Sequence, residues 1–161
     1  MDESKRFLAE VFFANNGEID LLTGVMAPEI FNQIVSRDIQ LADRNLTKLC
    51  VVYAQFDIDK FTGNELSDKE KSNLDRVKNE IETELVRIAF LLKQVFRQSD
   101  CISRVHQLGF WILLSSNEQI NLKQVLSRAK QGLPQHVELA SCHRNDQENQ
   151  IDWYKRIDSL N

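Results

Sequence analysis

The chain of 161 residues predicts one α+β domain, a largely antiparallel central sheet flanked by helices. Three observations predict it. Apolar residues recur at helical spacing in two stretches, Ile30, Phe31, Ile34, Val35 and Ile39, then Leu74, Val77, Ile81, Leu85, Ile88, Leu92 and Val95. Between them, the continuous run Leu49-Cys50-Val51-Val52-Tyr53-Ala54-Gln55-Phe56 reads as a buried strand. After them, two strand-like segments flank His106-Gln107-Leu108-Gly109, a connection short enough for a hairpin.

The elements follow in order. Phe7, Leu8, Val11 and Phe12 share one side of a helix over residues 3–14, which Asn15-Asn16-Gly17 breaks. Residues 1–17 are thus read as an N-terminal helix and linker, and 18–161 as the domain. Pro28 suits the first position of the next helix. The strand 49–56 ends in Asp57-Ile58-Asp59, and Gly63 and Asn64 lie in a loop. Ser67 and Glu70 form a capping box that opens the long helix, which stops around Gln98-Ser99-Asp100. Strands are expected at 101–105 and 110–114, then a helix at 119–131 with Gly132 as its C′ residue and Pro134 barring its return. A strand from Val137 to Cys142 and a terminal helix complete the chain.

Composition narrows the function. Net charge is −4, from 24 acidic and 20 basic residues, so a broad nucleic-acid surface is not expected; a local anion pocket needs only two or three arginines. Cys50, Cys101 and Cys142 are odd in number and lack CxxC spacing, which argues against a disulfide framework or zinc site and for buried thiols in a reducing cytoplasm. No apolar run approaches the ~20 residues of a membrane span, and the N-terminus lacks the apolar core of a signal peptide.

Four segments, in this order and spacing, resemble the GGDEF (diguanylate cyclase) domain. They are Asp20-Leu21-Leu22-Thr23-Gly24-Val25, similar to its "D-x-L-T-G-L" opening; Phe56-Asp57-Ile58-Asp59-Lys60-Phe61, similar to its "D-I-D-x-F" strand end; Arg97-Gln98-Ser99-Asp100, similar to its "R-x-x-D" inhibitory site; and Arg156-Ile157-Asp158, similar to the "R-A-D" of its last helix. Arg104 matches the arginine shortly before the family's signature hairpin. The resemblance covers about residues 18–161 and implies a GGDEF, nucleotidyl-cyclase-like fold.

The departures bear on activity. The signature aligns with His106-Gln107-Leu108-Gly109-Phe110, of which the phenylalanine alone is kept. His106 and Gln107 replace the glycines that let a phosphate approach; Leu108 and Gly109 replace both acids. Asp57 keeps the other metal position, but one carboxylate holds Mg²⁺ weakly and two-metal phosphoryl chemistry is poorly served; equally, Asp57 is a strand-end cap. At the guanine positions stand Glu65, with Asn64 beside it, and Glu82 in place of an aspartate. The expectation is a degenerate, non-enzymatic domain with no catalytic residue, no cofactor and no metal, Asp57 being vestigial.

What the resemblance keeps is a receptor site for cyclic di-GMP at Arg97, Asp100 and Arg128, a ligand such sites also take as a stacked dimer. An arginine fork bonds guanine O6 and N7 or two phosphate oxygens, and an aspartate accepts from the guanine N1–H and amino group. The other reading is structural. Arg97 then complements a helix C-terminus, Asp100 forms a turn, and Arg128 is a solvated helix residue. The corresponding functions are a cytoplasmic cyclic di-GMP signalling module with a protein partner or self-association, or a ligand-free interaction scaffold. His106, His136 and His143 show no metal spacing, Lys60 is read as exposed, and Trp111, Trp153 and Tyr154 as core or interface aromatics.

Overall fold

The computed structural model describes residues 10–63 and 74–160. Its elements run α1 (Pro28–Asn45), β1 (Lys48–Phe56), α2 (Ile58–Thr62), α3 (Leu74–Val95), β2 (Cys101–His106), β3 (Gly109–Ser116), α4 (Leu122–Gln131), β4 (Val137–His143) and α5 (Gln150–Asp158). The four strands form one antiparallel sheet in the order β2-β3-β1-β4, the expected α+β architecture.

Both faces of the sheet are covered, which explains why β1 reads as an unbroken apolar run. Cys50, Val52, Ala54 and Phe56 point to the face packed by α2, α3 and α4, where Ile81, Leu85, Ile88 and Leu92 complete the larger core. Leu49, Val51 and Tyr53 point to the opposite face, against Phe31 and Val35 of α1 and Trp153 and Ile157 of α5. Trp111 lies in this second core, its ring edge-on to Tyr154 at 4.9 Å between centroids. The solvent side of α3 keeps its charges as spaced pairs, such as Arg76 with Glu80.

Several expectations are corrected. Residues 11–14 are not helical. Val11 alone is buried, its carbonyl accepts from Gln107 Nε2 at 3.3 Å, and Ala14 O accepts from Leu21 N at 2.8 Å, so the backbone is tied to the hairpin and the next loop instead of to itself. The stretch after β1 contains a helical turn, α2, because the Asp57 side chain accepts from Lys60 N and caps it. Helix α4 starts three residues later than expected, where the Asn121 side chain caps Gln124 N at 3.2 Å. The capping box at Ser67 and Glu70, the residues Asn64 and Glu65, and residues 3–9 of the N-terminal helix lie outside the described residues. Cys50 and Cys142 are buried free thiols, whereas Cys101 is half-buried.

Gly132 does end α4, but not for the expected reason. Its φ is −96°, so no left-handed residue is needed. A Cβ there would lie 2.7 Å from Val95 Cγ2, so the glycine permits α4 to close on the end of α3. Gly132→Ala is therefore expected to destabilise the protein by about 1–3 kcal/mol through overpacking. Adding Val95→Ala should recover part of that loss in urea unfolding; a simple sum of the two single effects would contradict the contact.

Candidate functional site

Two regions carry the sequence motifs, the hairpin between β2 and β3 and the C-terminal end of α3. A buried arginine organises the first. Arg104 is fully buried, with Nη1 3.3 Å from Asp20 Oδ1. Its Nε and Nη2 donate to the Gln107 carbonyl at 3.1 and 2.7 Å, and the Phe13 ring lies 4.9 Å from the guanidinium carbon. Burial lowers the guanidinium's pKa, and the Asp20 charge opposes the shift most strongly. Asp20 Oδ2 also accepts from Thr23 N and Thr23 Oγ1 at 2.8 and 2.6 Å, and Gly24 turns the loop at φ 76°. The opening motif and the arginine before the hairpin are thus one construction, which carries the 20–26 segment along β2, where Met26 N donates to Ile102 O at 3.0 Å.

The hairpin closes through Gln107 and Leu108, with His106 paired to Gly109. His106 is exposed with its ring 6.2 Å from that of Tyr53, and Leu108 packs against the larger core. The space beside Gly109 is taken. A Cβ there would stand 2.8 Å from Tyr53 Oη and 3.1 Å from Gln55 Oε1, the two groups being hydrogen-bonded to each other. The Asp57 carboxylate is the cap of α2, and Lys60 pairs with Glu138. One oxygen of Glu82, Oε2, is buried with no hydrogen bond among the described residues, while Oε1 is 3.8 Å from Lys78 Nζ. No group of three His, Cys, Asp or Glu among the described residues stands together as a metal site.

At the end of α3, Arg97, Asp100 and Arg128 do converge. They line one narrow cleft with Val95, Phe96, Leu114, Ile120, Val125 and Ala129, but its volume is only 50 Å³. The Asp100 side chain is 5 % exposed, and its Oδ2 accepts from Arg97 N at 2.9 Å. Burial raises its pKa, opposed by the Arg97 backbone hydrogen bond and charge. The Arg97 side chain is 73 % exposed, its Nε 3.9 Å from Asp100 Oδ2. Arg128 is exposed on α4 and makes no ion pair among the described residues. On the other side of Arg97 and Asp100 opens a larger cavity of 490 Å³, lined also by Lys93, Gln98, Cys101, Ile102 and the Gly24–Met26 segment. Lys93, in the last turn of α3, was not anticipated; Arg97 lies two residues past the end of that helix. Arg156, of the last motif, donates to the His143 carbonyl at 3.0 and 2.7 Å and pins α5 to the end of β4.

No protein-family model matches the chain, and no curated protein matches it in sequence. Solved structures do. The GGDEF domain of DgcB from Caulobacter crescentus, in complex with c-di-GMP, is 13 % identical with a TM-score of 0.66, over 92 % of this chain and 90 % of that one. The FimX GGDEF domain from Pseudomonas aeruginosa is 13 % identical with a TM-score of 0.68, over 88 % of this chain and 90 % of that one. Diguanylate cyclase SiaD from Pseudomonas aeruginosa, in complex with its activator SiaC, is 16 % identical with a TM-score of 0.67, over 88 % of this chain and 55 % of that one. The chain therefore has the GGDEF-domain fold. No helix among the described residues is long and apolar enough to cross a membrane.

Two outcomes follow from this geometry. Asp20→Asn leaves the Arg104 guanidinium buried without a counter-charge and should cost about 3–5 kcal/mol in chemical unfolding. Breaking the exposed Lys48–Asp146 pair, 3.3 Å apart, should cost no more than about 1 kcal/mol. Equal small losses would show that the Arg104 pair is not a structural anchor. Gly109→Ala should cost about 1–3 kcal/mol and be partly relieved by Tyr53→Phe, which removes the obstructing hydroxyl.

Proposed function

We propose that the protein is a catalytically silent GGDEF-fold domain that binds cyclic di-GMP at the end of α3 and relays occupancy to a protein partner or second copy. The observation that carries this reading is the convergence of Arg97, Asp100 and Arg128 on one cleft, two exposed guanidinium groups beside a nearly buried carboxylate. Those groups match the ligand's chemistry: arginine forks for phosphate oxygens or guanine O6 and N7, a carboxylate for guanine N–H donors, and guanidinium planes for stacking on a purine. Binding of c-di-GMP by the DgcB domain of the same fold adds weight.

The hairpin supports the reading as silent. His106, Gln107, Leu108 and Gly109 offer no carboxylate, Tyr53 occupies the space beside Gly109, and Asp57 is engaged as a cap. Phosphoryl transfer by Mg²⁺ needs acids that hold the metal against the substrate phosphates. A cytoplasmic setting, where the free thiols of Cys50, Cys101 and Cys142 stay reduced, goes with this reading.

A pure interaction scaffold is the second reading. Asp100 already accepts from the Arg97 N–H, and Phe12, Phe13, Ile19 and Leu21 expose large apolar side chains near one another in sequence. Diguanylate cyclase SiaD, of which this chain covers 55 %, is found in complex with a protein activator, SiaC.

Calorimetric titration with cyclic di-GMP separates the two. The receptor reading expects saturable binding, weakened by about 1.5–3 kcal/mol, or roughly ten- to a hundredfold, in Arg97→Ala. Absence of heat and of a thermal shift at high ligand concentration favours the scaffold. Incubation with GTP and Mg²⁺ or Mn²⁺ should yield no cyclic di-GMP by chromatography; product would overturn the assignment as silent.

A further inference from the structure

We propose that the outer edge of β4 is a docking site for an acidic, extended segment of a partner protein, which adds to the sheet as a further strand beside the basic helix α4. The inference concerns the partner and stands whether or not cyclic di-GMP binds.

The backbone leaves this edge open. β4 ends the sheet and pairs with β1 alone. At the two ends of that ladder, Asp57 N donates to His136 O at 2.7 Å and Arg144 N donates to Leu49 O at 2.9 Å. Residues that bond to the neighbouring strand alternate along an antiparallel ladder. Glu138, Ala140 and Cys142 therefore turn their backbone groups toward β1, whereas Val137, Leu139, Ser141 and His143 turn theirs outward. The outermost of these are used: Val137 N donates to Pro134 O, and His143 O accepts from Arg156. Between them, the N–H and C=O groups of Leu139 and Ser141 have no partner among the described residues.

Open edges are normally guarded by lysine, proline, a bulge or a covering segment. The opposite edge follows that rule. β2 has a register shift between Arg104 and His106, and Met26 bridges to it at Ser103. β4 has no shift against β1 and contains no proline, lysine or arginine. Such an edge is a template for a strand brought by another chain.

Charge selects the occupant. α4 carries Lys123, Arg128 and Lys130 and no acid. Lys123 and Lys130 are close to two turns apart and share one side of the helix. Lys130 meets the start of β4 in a 350 Å³ concavity with Lys60, Pro134, Val137 and Glu138. Lys60 is neutralised by Glu138, whereas Lys130 makes no ion pair among the described residues. Acidic side chains at alternate positions of an added strand project toward α4 and meet these lysines. A second copy fits less well. Because α4 packs over β4, pairing β4 with β4 brings two helices of the same charge to one seam.

The test uses the whole chain and a capped, fluorescein-labelled peptide of alternating glutamate and valine, followed by anisotropy. The matching lysine–valine peptide is the control. Ser141→Pro removes an outward N–H and leaves the bonds to β1 in place, the setting in which an edge strand tolerates proline. Lys130→Glu reverses the charge of an exposed side chain. The expected result is saturable binding of the glutamate peptide, roughly tenfold weaker in each variant, and none of the lysine peptide. Amide exchange at Leu139 and Ser141 should slow in the complex. No saturable binding of the glutamate peptide, or binding that either folded variant leaves unchanged, overturns the proposal. Should Ser141→Pro unfold the chain, Lys130→Glu and the exchange at Ser141 decide. A dimer of the free chain in sedimentation equilibrium, with Leu139 and Ser141 already protected, would give the edge to a second copy and likewise overturn it.

Discussion

The Arg104 guanidinium is the hub on which the rest of the molecule depends. It is fully buried, and burial of a charge is tolerated only with compensation. Asp20 supplies the counter-charge and the Gln107 carbonyl accepts its remaining fork. One side chain therefore joins the loop before α1 to the turn between β2 and β3. Two consequences follow for the surface. The hairpin tip is tied to the core through the Gln107 carbonyl, and the Gly24–Met26 segment is laid against the edge of β2, where it becomes a wall of the cavity at the end of α3. The same pair that completes the core thus shapes that cavity.

The hairpin and the helix end differ in kind. At the hairpin, the space beside Gly109 is filled by Tyr53 and Gln55, and the neighbouring acid, Asp57, has a local task as a helix cap. At the helix end, charged groups stand exposed around open volume. Desolvation raises the Asp100 pKa, and the Arg97 N–H holds that carboxylate in place. Such a carboxylate gains from a donor brought by a ligand, since its burial has removed water that would otherwise solvate it.

How much of this was legible in the sequence depends on whether a feature is local. Helix α3 was legible because its apolar positions keep helical period from Val77 to Leu92, and β1 because a strand covered on both faces needs no polar alternation. The hairpin followed from two strands four residues apart. The N-terminal segment misled for the same reason. Phe7, Leu8, Val11 and Phe12 satisfy a helical period, yet Val11 is buried while Phe12 and Phe13 stand half-exposed, the backbone being claimed by Gln107 and Leu21. Asp20 and Arg104 were each singled out by motif, but nothing local announces that residues 84 apart form one ion pair. Gly132 was assigned a turn role when its task is contact with Val95, a partner in another helix. Tyr53 as the occupant of the space beside Gly109 was not readable, because cross-strand placement depends on register.

The central claim is that ligand recognition belongs to the end of α3 and not to the hairpin. Amide hydrogen exchange of the native protein, with and without cyclic di-GMP, tests it most directly. The account predicts added protection at Arg97–Asp100 and around Arg128, with residues 106–110 unchanged. Protection centred on His106–Phe110, or none anywhere, would contradict it.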